Sequence, residues 1–303
     1  MSTVTGRFAP SPTGRMHLGN VFSALLSWLS TKSKGGRWLL RIEDLDKDRC
    51  RPEYVQQLMD DLLWLGLEWD GEPVYQSQRN DIYQHYYDIL SKKGLVYPCY
   101  CTRADLIATQ APHESDGRTV YRGTCRHLPP QQGRAAAMRL IVPDEDYSFT
   151  DGHYGSQRVN LALQVGDFII RRKDGAWAYQ LAVVIDDALM GVTEVVRGRD
   201  LLLSTAQQLY VAHCLGFTAP LFTHLPLLLG ASGQRLSKRD QAMDMGVLRR
   251  VYTAKDIIGH LAFLAGLNPK HTPVNAADLV QHFAWNFVPS HDISTKDEIF
   301  PST

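Results

Sequence analysis

The sequence lacks a surplus of either charge, with 32 Lys and Arg against 32 Asp and Glu. Whole-chain charge therefore supplies no field that would gather nucleic acid or an anionic membrane. Long hydrophobic runs are missing too: the longest, such as Leu225 to Leu229, fall far below the roughly 20 residues that span a bilayer. The first ten residues have neither the basic start nor the apolar stretch of a secretory signal, so a cytoplasmic protein is expected. There is no internal repeat and no low-complexity tract. Cysteine is scarce and odd in number, five in all, with Cys99, Cys101 and Cys125 crowded together and Cys50 and Cys214 apart. That pattern suits reduced thiols or a metal better than a disulfide framework. What is present is ordinary globular material: 303 residues, 44% apolar and 21% charged, enough chain for a substantial buried core.

The opening reads as strand, loop, helix, strand. Val4 to Ala9 is a short strand running into Pro10 to Gly14, whose prolines cannot continue a helix and whose glycine permits a positive φ. Val21, Leu25 and Leu29 then form an apolar stripe on a helix ending near Gly35 and Gly36. Trp38, Leu40 and Ile42 alternate with Leu39, Arg41 and Glu43 on the next strand. This order begins a doubly wound α/β sheet. Helices are predicted over 52–65 and 79–93. Residues 95–178 change character, with cysteines, paired prolines and strands such as Phe168 to Arg172, turned at Asp174 and Gly175 into Trp177 to Leu181. That stretch looks inserted. Alternation returns at Glu194 to Val196, followed by helices predicted over 204–214, 257–267 and 276–285.

Two segments have the chemistry of a nucleotide site. Pro10 to Asn20 lies between strand and helix, where backbone N–H groups and the helix dipole attract phosphate, Gly19 allows close approach, and His17 and Asn20 can donate. Roughly 220 residues later comes Gln234 to Arg239, a Gly-flanked run in which Lys238 lies between Arg235 and Arg239 and could neutralise developing phosphate charge. Either alone is as well explained by a helix entry or a solvated basic surface. Together, and in that order, they are not.

His17-Leu-Gly-Asn20 resembles the HIGH signature, and Arg235-Leu-Ser-Lys-Arg239 the KMSKS signature, of class I aminoacyl-tRNA synthetases. Arg7 to Gly14, Arg41 to Asp44 and Val196 to Leu201 narrow the resemblance to the glutamyl branch, over about residues 4–250. The resemblance implies a Rossmann-type α/β catalytic domain over 1–78 and 179–228. It further implies an inserted zinc-containing α+β subdomain over 79–178, and a KMSKS-like loop with a short helical C-terminal part over 229–303. It implies ATP binding by His17, Gly19, Asn20 and Lys238, with His17 and Lys238 catalytic and Mg²⁺ accompanying ATP. Arg7, Ala9, Ser11, Glu43, Tyr179 and Arg197 would hold glutamate. Those residue types suit a substrate with two carboxylates and one ammonium, which needs cationic forks and an anion. On a strand of period two Arg41 and Glu43 share a face, and Glu43 at the strand's C-terminal end faces a ligand crevice. The alternatives are an ion pair of Glu43 with Arg41 or Lys47 and a core role for Tyr179, which shares parity with Trp177 and Leu181.

Cys99, Cys101 and Cys125 can supply three of the four ligands of a tetrahedral zinc. The resemblance makes Tyr121 the fourth, with His113 and His127 as conventional rivals and three free thiols as the bland alternative. After Arg239 only 64 residues remain (303 minus 239), too few for the large anticodon-binding region of full glutamyl-tRNA synthetases. The chain is thus similar to the truncated paralogues of that branch. These activate L-glutamate with ATP, without tRNA, and attach it to the queuosine base at the wobble position of tRNA(Asp). A shortened synthetase charging tRNA(Glu), a non-catalytic tRNA-binding paralogue and a nucleotidyltransferase for another acid are the alternatives. A monomer is expected. No region is basic overall: Lys and Arg against Asp and Glu number 9 and 10 over 1–78, 13 and 11 over 79–178, and 10 and 11 over 179–303. A small, salt-sensitive RNA footprint around Arg235, Lys238, Arg239, Arg249 and Arg250 is the expectation.

Overall fold

The computed structural model describes residues 3–102, 105, 120–230, 233–234, 236 and 244–295. It opens as the alternation predicts. Strand β1 (Thr5–Phe8) leads through the Pro-rich loop into helix α1 (Leu18–Lys32), then into β2 (Arg37–Ile42), which pairs parallel with β1 and with the short β3 (Val74–Tyr75). The α1 stripe of Val21, Phe22, Leu25, Leu26 and Leu29 is fully buried and meets Phe8, Trp38, Leu40 and Ile42 in the largest core cluster. Two more parallel strands, β9 (Glu194–Gly198) and β10 (Leu221–Leu225), stand beside β1, where the Thr193 N–H donates to the Thr5 carbonyl at 2.9 Å. In the loop after β1 Gly14 does not use the positive φ open to it.

Helices α2 (Pro52–Trp64), with Pro at its start, and α3 (Asn80–Lys92), closed by Gly94 at φ +70°, lie within a residue of expectation. The inserted stretch builds an antiparallel sheet of β4 (Val96–Cys99), β5 (Ala137–Leu140) and β8 (Phe168–Arg171), with a hairpin, β6 (Asp146–Asp151) and β7 (Gly155–Asn160), and one helical turn, α4 (Leu161–Gln164). The expected strand Trp177 to Leu181 is a correction. Only Trp177 bridges to Arg171, and from Tyr179 the chain is helix α5 (Tyr179–Leu189). The segment from Leu181 to Leu189 carries apolar residues on consecutive positions, so the apparent alternation at 177, 179 and 181 stops where the helix begins. Helix α6 (Leu202–Leu215) packs on α5 and ends at Gly216 with φ +74°. The C-terminal part holds α7 (Met245–Val251), α8 (Ala254–Leu264) and α9 (Ala276–Leu279). The predicted helix over 276–285 breaks into α9 and two single 3-10 turns, at Val280–His282 and Trp285–Phe287. Short strands β11 (Leu228–Leu229) and β12 (Ile293–Ser294) pair near the end of the chain. Among the described residues no helix is long and apolar enough to cross a membrane.

Candidate active site

One cavity of about 500 Å³ opens at the C-terminal ends of β1, β2 and β9, the usual ligand crevice of a parallel α/β sheet. Arg7, Ala9, Ser11, His17, Gly19, Asn20, Glu43, Tyr179 and Arg197 all line it. Every described residue expected at the site is therefore in one place. Lys238, with Arg235 and Arg239, lies outside the described residues, but its flanks do not. Leu236 forms part of the cavity wall, and Asp244 pairs in a β-bridge with His17 while the Met245 N–H donates to the Met16 carbonyl at 2.9 Å. Arg249, expected in an RNA-facing cluster, is instead held by Asp60 at 2.6 Å and Asp61 at 2.7 Å, with its guanidinium over Trp64.

His17 is the N-cap of α1. Its Nδ1 accepts from the Gly19 N–H at 3.1 Å, and the Asn20 side-chain oxygen accepts from the His17 N–H at 3.1 Å, closing a capping box. The first-turn N–H that would greet a phosphate is thus partly spent on the cap. In exchange the imidazole is fixed with its proton on Nε2, and Gly19 lies so close beneath it that a Cβ there would come within 3.1 Å of the ring.

Below the cavity lies a buried charge network. The Asp187 carboxylate on α5 accepts from Arg7 Nε at 3.2 Å and Arg41 Nη1 at 2.6 Å, while Arg41 Nη2 donates to Glu43 at 3.1 Å. Its neighbour Asp186 accepts from Gln76 at 2.8 Å, Arg79 at 2.6 Å and the Tyr83 hydroxyl at 2.8 Å. The pairing of Glu43 with Arg41 is real but not superficial, since Arg41 is fully buried and Glu43 only 9% exposed. Burial pushes the Glu43 carboxyl up, against the pull of Arg41 and Arg7. Burial also works against Asp187, but the two guanidiniums hold its carboxyl below the ordinary range. The Glu43 N–H donates to the Pro10 carbonyl at 3.0 Å, which fastens the strand end to the loop after β1.

Arg197 differs from the other two arginines. Among the described residues it makes no ion pair; its donors meet His224, Gln208, Thr205, the Leu201 carbonyl and the Tyr179 hydroxyl. Burial, at 6% exposure, lowers its affinity for its proton, yet a guanidinium remains cationic. An anion entering the cavity meets a guanidinium with no carboxylate bonded to it.

The thiols of Cys99, Cys101 and Cys125 lie within 4.8 Å of one another, at the end of β4. The Tyr121 hydroxyl is 3.5 Å from Cys99 Sγ and 3.9 Å from Cys101 Sγ, and accepts from the Cys125 N–H at 2.8 Å. A tetrahedral zinc with thiolate bonds near 2.3 Å separates its sulfurs by a little under 4 Å, so the three thiols fit such a metal and Tyr121 is within reach of the fourth position. His127 is exposed and not part of the cluster, and His113 lies outside the described residues. Burial would raise the Cys125 thiol, but the Tyr121 hydroxyl and backbone hydrogen bonds bring it down to about 7, whereas burial and its sulfur neighbours push Cys101 up to about 11. Burial pushes the Tyr121 phenol upward, so only a bound cation would make it a phenolate donor.

The catalytic-domain model of the class I tRNA synthetases (E and Q) matches residues 3–281. The chain belongs to that family. It is a ligase, and its resemblances are close. A glutamyl-Q tRNA(Asp) synthetase of Nitratidesulfovibrio vulgaris is 45% identical over 98% of this chain and 97% of its own length. Its namesake from Neisseria meningitidis serogroup C is 45% identical over 96% of this chain and 99% of its own. A glutamate tRNA ligase of Elizabethkingia meningosepticum, solved with its amino acid, superposes with a TM-score of 0.83 at 28% identity, over 98% of this chain and 68% of that one.

Several residues of the enzyme's site were not foreseen. Gly198, Asp200, Leu201 and Leu225 to Leu228 complete the cavity wall, following directly from the strand ends that carry Arg197 and His224. Asp186 and Asp187 interrupt an apolar run, Ala182 to Ile185, and adjacent carboxylates in such a setting are a signal for buried cations. Asp151 and His224 gave no local signal at all.

Proposed function

We propose that the enzyme activates L-glutamate with ATP, without tRNA, and transfers it from glutamyl-adenylate to the queuosine base of tRNA(Asp). One observation carries the activation half: a single cavity at the strand ends is lined by a capped His17, Gly19 and Asn20 on one side and by Arg7, Glu43, Tyr179 and Arg197 on the other. In this reading His17, Gly19 and Asn20 hold ATP. Arg197 and Arg7 face the substrate carboxylates, Glu43 the ammonium, and Ala9, Ser11 and Tyr179 the remaining surface. Carboxylate oxygen attacks the α-phosphate and pyrophosphate departs, so the protein contributes alignment and charge stabilisation rather than a nucleophile. Lys238 is assigned to the charge developing on the α-phosphate. Mg²⁺ accompanies ATP and offsets phosphate charge.

The transfer half rests on the relatives named for glutamyl-Q tRNA(Asp), matched over nearly their whole length, whereas 68% of the glutamate tRNA ligase chain is matched. A structural zinc held by Cys99, Cys101, Cys125 and Tyr121 belongs to the proposal. So do a catalytic domain over 1–78 and 179–228, an insertion over 79–178, a KMSKS-like C-terminal region over 229–303, and a cytoplasmic monomer. Glutamate-dependent ATP–pyrophosphate exchange without RNA tests activation, and its absence in metal-replete enzyme would overturn the reading. Labelled glutamate offered to queuosine-containing tRNA(Asp) and to tRNA(Glu) tests transfer. Label on tRNA(Glu) alone would identify a tRNA(Glu)-charging enzyme instead.

A further inference from the structure

The five hydrogen bonds of the Arg197 guanidinium fall into two sets. Three are short and point away from the cavity: Nη1 to Gln208 Oε1 at 2.7 Å, Nη2 to Thr205 Oγ1 at 2.8 Å and Nε to His224 Nε2 at 3.1 Å. Two are long, Nη2 to the Leu201 carbonyl at 3.3 Å and Nη1 to the Tyr179 hydroxyl at 3.5 Å, and both partners line the cavity. A carboxylate would displace the long pair and leave the short set in place. The short set is therefore what aims the fork.

One member of that set is held in a single protonation state. Arg197 Nε can only donate, so His224 Nε2 must present its lone pair and the imidazole must carry its proton on Nδ1. That N–H points at Asp151 Oδ2, 2.6 Å away, and both side chains are essentially buried. Asp151 ends β6 of the inserted hairpin, and its Oδ1 also accepts the N–H groups of His153 at 3.0 Å, Tyr154 at 2.9 Å and His224 at 3.2 Å. The carboxylate thus fixes the tautomer while one imidazole ring keeps it from pairing with Arg197 directly. A direct pair would cancel the charge on which the cavity relies.

We propose that Asp151 and His224 are positioning residues that orient Arg197 toward the substrate carboxylate through the Nδ1–H tautomer of His224, with Asp151 held off as an indirect anion. The inference rests on the reading of Arg197 as a carboxylate-binding residue. Asp151→Asn is the decisive variant. Its amide oxygen at the Oδ1 position can keep the three backbone bonds while its amide nitrogen, facing Nδ1, forces the opposite tautomer and turns Nε2–H against Arg197 Nε–H.

In glutamate-dependent ATP–pyrophosphate exchange, Asp151→Asn should raise the KM for glutamate about tenfold or more, with kcat and the KM for ATP within about twofold, a loss comparable to one inverted buried hydrogen bond. His224→Phe should do the same, while His224→Gln, whose amide oxygen can accept from Arg197, should recover most of the affinity. Nitrogen-15 NMR of imidazole-labelled protein should report Nδ1–H for His224 in the wild type and Nε2–H in Asp151→Asn. A wild-type Nε2–H tautomer or imidazolium overturns the proposal without any variant having to fold, as does an unchanged glutamate KM in Asp151→Asn. Arg197→Lys separates the two readings. An unchanged glutamate KM there removes Arg197 from substrate binding, whereas a raised KM there with a normal Asp151→Asn removes only the relay.

Discussion

Replacing Asp187 by Asn changes one oxygen to NH₂ and almost no volume, yet it removes the carboxylate shared by Arg7 and Arg41. In the native network three buried or half-buried guanidiniums, Arg7, Arg41 and Arg79, face three carboxylates, Glu43, Asp186 and Asp187. The variant leaves three cations with two anions, and a guanidinium cannot shed its proton to relieve the imbalance. Breaking a buried pair from one side costs about 3–5 kcal/mol. At about 2 °C per kcal/mol for a chain of this size, the thermal midpoint at neutral pH should fall by roughly 6–10 °C. Because the native Asp187 carboxyl is held below its ordinary range, its contribution is complete above that range and is lost as pH falls through the folded value. The gap between wild type and variant should accordingly shrink in acid. Adding Arg41→Met restores equal numbers of charges, so the double variant should be more stable than the sum of the two single losses predicts. Scanning calorimetry or denaturant unfolding at several pH values checks this. A midpoint drop under about 2 °C, or strict additivity in the double variant, would refute the coupling.

Lys238→Ala should lower the rate of glutamate-dependent pyrophosphate exchange by roughly 100-fold or more, as loss of one preorganised transition-state donor commonly does; near-normal turnover would remove its role. Purified enzyme should contain about one zinc per chain by elemental analysis, and Cys125→Ser should lose it. Chelation should loosen the stretch around β4 and Tyr121, read by protease sensitivity there, while ATP binding persists. Burial raises the Glu43 carboxyl, and a bound ammonium would favour its ionised form. Glutamate binding just above the ordinary carboxylate range should therefore release protons, seen as a dependence of the calorimetric heat on buffer ionisation. No such dependence there would separate Glu43 from the ammonium.

The part of the site that follows local periodicity was legible in the sequence. A parallel strand ending at Ile42 puts Glu43 at the crevice, and a loop between β1 and α1 puts His17 at a helix start, because both follow from where elements end. Tyr179 lines the cavity as expected, but from a helix rather than a strand. Alternating aromatics just before a helix look like a strand until Ala178, at the N-cap, turns the chain. The division of labour among the arginines was not legible. Arg7 and Arg41 are paired with Asp187, 180 and 146 residues away, and Arg197 reaches Asp151 only through His224. Such partners are set by how strands and helices meet, which no window of sequence contains.

The even match of cations and anions beneath the cavity leaves Arg197 as the residue that sets the charge of its amino-acid end. If glutamate is the substrate, its net negative charge would meet a guanidinium that has no carboxylate bonded to it. Glutamine, the same shape without that charge, would leave the buried Arg197 guanidinium facing a neutral amide. Discrimination between the two would then rest on an arginine whose hydrogen-bond partners are all neutral.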